Sequence, residues 1–346
     1  MKKLLLLMML LCSLVFPVYA TEIAAPTAPE AAHPYLPEEN ETFADGLWFI
    51  VKQAISAFEP ELANASGICL SVAAAVLLLS ILNSFAQEHE HKIQAVGAVI
   101  IGVLLLEPVN SMIQLGATTV EQLSDYAKLL IPVMTAAVAS QGGLTSAAAL
   151  YTGTVFFNTL LATIITKLVV PALYIYLCLC IAECAIGQEL LKKIRDFVKW
   201  LMTWCLKLVL YTFTGYISIT GVISGTVDAS TLKAAKLTIS GMVPVVGGIL
   251  SDATETILVS AGAMKNAAGI YGLFAVLAMC VSPFVKIGAQ YLLLKLSGAF
   301  CHTFGSKATM TLIQNFTTGM GFALAMTGTV CILLLISLVC FMKGMS

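Results

Sequence analysis

Between Lys128 and Lys167 this chain carries no Asp, Glu, Lys or Arg. That uncharged run is long enough for two passes across a hydrocarbon core, at about 20 residues each. Other apolar runs of comparable kind recur along the chain, broken mainly by Gly, Ser and Thr. Hydrophobic residues make up 59% of the sequence and charged residues 11%, against roughly 25% charge in a soluble domain. The fold class expected is all-α, a polytopic integral membrane helical bundle. A formal net charge of -1 and the absence of a basic block exclude a nucleic-acid partner, which needs a clustered positive face. The lipid bilayer is the partner this composition demands.

Residues 1–20 read as a cleaved signal peptide: Lys2 and Lys3, an apolar core, then Val18-Tyr19-Ala20 as a small-x-small cleavage site. An uncleaved first helix is the alternative, disfavoured because the core is short for a span. Cys12 follows Leu11 rather than a small residue, which argues against lipoprotein acylation. Under either reading Thr21 starts outside the cytoplasm. Residues 21–61 form an acidic, extracytoplasmic arm whose prolines (Pro26, Pro29, Pro34, Pro37, Pro60) disfavour a packed core and lead into a short helix over 43–58. A solvated spacer is the plainer reading of the arm, contact with a partner the other.

Residues 62–346 form the polytopic membrane domain, with about seven spans expected in a range of six to eight. The passes read from uncharged lengths are 66–85, a short one at 93–106 ending in Glu107-Pro108, two within 129–166 around Gly142-Gly143, then 168–186, 200–223, 267–294 and 319–341. An amphipathic segment, 109–128, lies between the second and third. Lys192, Lys193, Arg195 and Lys199 form a basic loop, 192–199, that marks the cytoplasmic side. Counting back five passes from it puts Ser66 outside, in agreement with the signal peptide. Lys343 alone leaves the side of the C-terminus open.

One stretch, 228–265, gathers Asp228, Lys233, Lys236, Pro244, Gly247, Gly248, Asp252, Glu255 and Lys265 in a weakly apolar background. Two readings stand. It is an extracytoplasmic loop followed by a poor transmembrane helix, or a re-entrant element that lines or docks, since broken backbone at membrane depth must be enclosed by protein or water. Charges close to the bilayer are the other candidates, because they are costly there: Glu107, Glu183, Lys207, Lys286 and Lys295. Lys286 follows Pro283 inside an apolar run. It reads as half of a buried ion pair, or as a snorkelling side chain beside a break at Pro283. Glu183 and Lys207, near the basic loop, read as snorkelling.

Enzyme chemistry finds no support. Walker, HExxH, GxSxG and paired CxxC patterns are missing from the sequence, so neither an enzyme nor a cofactor is expected. Glu88-His89-Glu90-His91 has the composition of a metal site, yet histidines two apart do not share a helix face, and a solvated turn is expected there. The ten cysteines lie mostly within spans and read as packed thiols rather than disulfides or ligands.

The order Gly221, Asp228, Leu232-Lys233-Ala234-Ala235-Lys236, Pro244-Val245-Val246-Gly247-Gly248, Ser251-Asp252-Ala253-Thr254-Glu255-Thr256, Lys265-Asn266-Ala267-Ala268-Gly269, then Pro283 with Lys286 resembles the stage III sporulation protein AE family. The resemblance is most specific over 215–286. It implies a membrane subunit, platform or pore, of the channel or secretion-like apparatus that links mother cell and forespore during endospore formation. The location implied is the mother-cell membrane surrounding the forespore. The implied partners are the other stage III sporulation proteins, including a secretion-type ATPase and ring-forming proteins, and stage II sporulation protein Q. The residues by themselves keep a second class open: an independent secondary transporter that binds a small solute at the broken segment around Pro244, Gly247 and Gly248.

Overall fold

A computed structural model describes residues 25–38, 42–85, 90–140, 144–219, 267–304 and 306–344. Among the described residues the secondary structure is entirely helical. A 3₁₀ turn, Glu30–Tyr35, precedes α1 (Phe43–Phe85), α2 (Glu90–Ser140), α3 (Leu144–Ile164), α4 (Val170–Ile186), α5 (Glu189–Ile219), α6 (Ala267–Phe304) and α7 (Lys307–Gly344). Among the described residues five stretches are long and apolar enough to cross a membrane, α3 and α4 counting as one. The chain is a membrane protein built as a helical bundle.

The passes read from uncharged lengths merge. α1 starts at the expected place, where Thr42 Oγ1 accepts the Asp45 N–H at 3.3 Å and satisfies a donor that the first turn leaves free. It does not stop at residue 58 but continues through Pro60. α2 fuses the short second pass, the amphipathic segment and the first of the two passes expected within 129–166 into one helix of 51 residues that runs through Pro108 and Pro132. The reason is a single buried stripe. Ala98, Ile101, Leu105, Val109, Ile113, Val120, Leu123, Leu130, Met134 and Val138 are all buried, at helical spacing that never breaks across 109–128.

The expected passes at 144–166 and 168–186 also join. A π-helical turn, Ile165–Val169, bridges α3 to α4, directly before Pro171, which has no N–H to give the helix. Gly187 then ends α4 in the left-handed region (φ 74°), and its N–H bonds to the Glu183 carbonyl at 2.7 Å. The turn is so tight that the basic cluster 192–199, expected as a loop, is helical and belongs to the first turns of α5.

α7 is the axis of the bundle. From Val330 to Met342 its residues are apolar or small and almost all buried, as expected for a helix that is apolar all round. The other helices surround it. α1 and α6 run parallel: Phe43 stacks on Phe274 at 5.5 Å, and Ser297 Oγ donates to Cys69 Sγ at 2.8 Å. A single cavity touches Gln94, Gly187 and Lys307, so the ends of α4, α6 and the starts of α2, α5 and α7 share one end of the bundle. At the other end Gly269 meets Met342 and Met134.

The arm is not a free spacer. The Ala28 N–H donates to Tyr271 Oη at 3.3 Å, Tyr126 Oη donates to the Pro26 carbonyl at 3.2 Å, and Ala28 and Ala32 are buried. Small side chains let it lie flat on α2 and α6. Between Phe43 and the basic cluster three described stretches are long and apolar enough for a pass, where five passes were expected. Both numbers are odd, so the merging of passes leaves the charge-based expectation of sidedness unaltered. At 1.5 Å per residue α1 is about 65 Å long, roughly twice a hydrocarbon core of about 30 Å.

Candidate functional site

The end of the bundle that holds the basic cluster carries a polar site. α4 delivers Glu183 one turn before Gly187, and α5 delivers Arg195 two turns after it. The hairpin brings them together: Arg195 Nη1 donates to Glu183 Oε2, while Arg195 Nε and Nη2 donate to Asp196 Oδ1 at 3.1 and 2.9 Å. The Arg195 side chain is 8% exposed and that of Glu183 13%. A guanidinium so buried is tolerable only when paired and hydrogen-bonded. Glu183 was expected to snorkel and instead forms this pair. Arg195 was expected as one of four equivalent topology markers, yet Lys192, Lys193 and Lys199 are exposed and Arg195 alone is buried.

Beside the pair opens a cavity of about 570 Å³, lined by Gln94, Cys184, Glu189, Lys192, Lys307 and Thr311 among others. The lining carries both signs of charge. It suits water or a polar segment of another molecule better than an ion of one sign.

Lys286 sits on an uninterrupted α6; Pro283 lies within that helix rather than breaking it. Its Nζ is 3.9 Å from Glu61 Oε1 on α1, with side chains 43% and 29% exposed. It is therefore a half-exposed pair, not a buried one. An apolar groove of about 530 Å³ lies nearby between α1, α6 and α7, lined by Ile55, Phe58, Phe284 and Ile332 among others.

Asp228, Lys233, Lys236, Pro244, Gly247, Gly248, Asp252, Glu255 and Lys265 lie outside the described residues, as do the signal peptide and His89. The chain leaves the described part at the end of α5 and returns at the start of α6. Those two points share an end of the bundle, since Tyr216 Oη donates to the Ala149 carbonyl near the start of α3 at 2.9 Å.

The sequence reading missed one face. On α5 Leu190, Ile194, Phe197, Trp200, Trp204, Leu208 and Tyr211 are all exposed, with Phe197, Trp200 and Trp204 stacked at 5.9 and 6.2 Å. This stripe lies opposite the buried Met202, Leu206, Val209 and Phe213. The spacing was legible in advance; the charges interleaved with it drew attention away.

The sequence model of a family described as Stage III sporulation protein AE matches residues 39–344. The stage III sporulation protein AE of Bacillus subtilis (strain 168) is 24% identical over 264 residues, which cover 76% of this chain and 66% of that protein. The match thus spans about two thirds of that curated relative. No solved structure matches.

Proposed function

We propose a function from one premise: the chain belongs to the stage III sporulation protein AE family. The reading is that of a non-enzymatic membrane subunit, platform or pore, of the channel or secretion-like apparatus between mother cell and forespore. It resides in the mother-cell membrane around the forespore. Its partners are the other stage III proteins, including the ATPase and the ring-forming proteins, and stage II sporulation protein Q. The observation that carries this is the extent of the family match, which takes in every long helix of the bundle.

Deletion of the gene tests it. Vegetative growth should be unchanged and spore development should stop after engulfment. A vegetative transport defect with normal spore titres would overturn the reading. The polar cavity of about 570 Å³ favours the second reading, a solute transporter, which should move solute when reconstituted alone.

The stretch 228–265, with Asp228, Lys233, Lys236, Asp252 and Glu255, is proposed as the lining or docking element. Glycines at 247 and 248 would permit backbone angles or approaches that side chains obstruct. Replacing both by leucine should abolish sporulation while the protein still accumulates. Wild-type spore titres with that variant would remove the proposal.

A further inference from the structure

The central helix α7 is apolar from Val330 to Met342 apart from Ser337, while its first turns are polar along one face. Lys307, Thr311, Gln314 and Thr318 recur at three- and four-residue spacing, so they share one face. Lys307 and Gln314 are exposed, and Thr311 and Thr318 half-buried. Asn315, beside them, has a buried Nδ2 with no hydrogen-bond partner. Lys307 and Thr311 already line the polar cavity. Gln314 and Thr318 lie beyond it, about 10 and 16 Å along the helix from Lys307 at 1.5 Å per residue.

A second polar row accompanies them on α4. Cys184 Sγ donates to the Ala308 carbonyl at 3.4 Å. One turn further along α4 Cys180 is buried, and one turn beyond it Tyr176, while Thr318 Oγ1 on α7 donates to the Gln314 carbonyl at 3.0 Å. Tyr176 is buried and packs its ring against Phe322 at 6.4 Å. Beyond this level, from Gly319 to Met326, α7 carries no polar side chain.

We propose that this cavity is cytoplasmic and continues along α7 as a hydrated crevice that reaches Thr318 and is closed by Tyr176 and Phe322. Its occupant is water. Lipid tails offer Gln314 no hydrogen bond, and polar side chains at membrane depth face water or protein. Continuity with a charged cavity that is already open selects water over a second copy of the chain. The crevice crosses about half of a hydrocarbon core of about 30 Å, so it thins the barrier to the outer half of the bundle.

Thiol accessibility tests this on the full chain in inside-out membrane vesicles, in a background where the native cysteines are replaced. Thr311→Cys, Gln314→Cys and Thr318→Cys are treated with a charged, membrane-impermeant maleimide. Leu292→Cys and Ile100→Cys, on exposed apolar faces, serve as lipid-facing controls. Only the thiolate reacts, and each unit of pKa raised by apolar surroundings removes about tenfold of it. The three crevice positions should label at least ~10-fold faster than both controls. The two threonine variants are nearly isosteric and carry the test if Gln314→Cys fails to accumulate. Rates at Thr311→Cys and Thr318→Cys no faster than at the controls would overturn the crevice. Protection of Gln314→Cys together with its oxidative cross-linking to a second copy would overturn it too, in favour of a self-association face.

Discussion

Two ion pairs hold different amounts of this protein together, and burial decides which matters. Glu183 and Arg195 are 13% and 8% exposed, so removal of one partner leaves a charge with little water around it, Glu183 reaching water only through the cavity it lines, at a cost of at most about 3–5 kcal/mol. Glu61 and Lys286 are far more open and 3.9 Å apart, worth about 0–1 kcal/mol at most. Arg195→Ala in detergent should therefore lower the thermal midpoint by many degrees or prevent accumulation, and Glu61→Gln should shift it little. Equal shifts would show that the Glu183–Arg195 pair is as solvated as the other. At the same scale Gly153 leaves the least room for a side chain among the described glycines: a Cβ there would stand 2.1 Å from the Tyr216 ring, whose hydroxyl donates to the Ala149 carbonyl.

At the scale of elements, the α4–α5 hairpin creates the polar site. Gly187 is the described residue with positive φ, and it sets the angle at which Glu183 faces Arg195. A side chain in the left-handed region costs roughly 1–2 kcal/mol. Gly187→Val should lower the thermal midpoint and loosen the pair, so that Arg195→Ala costs less in that background than in the wild type. A double-mutant cycle measures the coupling; additive effects would mean that the turn and the pair are independent. Elsewhere, Pro60 and Pro108, read as ends, and Pro283, read as one possible break, sit inside helices, as does Pro132. Each lacks an N–H, yet neighbouring helices hold the rod in place, so punctuation that ends a helix in water does not end one here.

At the scale of the whole molecule, helix order settles which ends lie together. α7 starts at the cavity and ends beside Gly269 and Met134, at the end where the arm packs. If the basic cluster is cytoplasmic, the C-terminus is extracytoplasmic. A reporter phosphatase that folds only outside the cytoplasm, fused after residue 346, should be active, and a cysteine at Glu38 should label in intact cells while one at Lys199 stays protected. An inactive C-terminal fusion with a labelled Glu38 position would contradict the helix order. Composition and uncharged length were enough to determine a helical membrane protein, because a chain with 11% charge must bury its backbone in helices wherever lipid surrounds it. The resemblance in 215–286 likewise led to the family. The number of rods, the burial of Arg195, the partner of Lys286 and the path of the arm were decided only by tertiary structure. Each depends on what lies across the bundle from a residue: charge position along one chain tells how costly a group is in lipid, and only packing tells what meets it there.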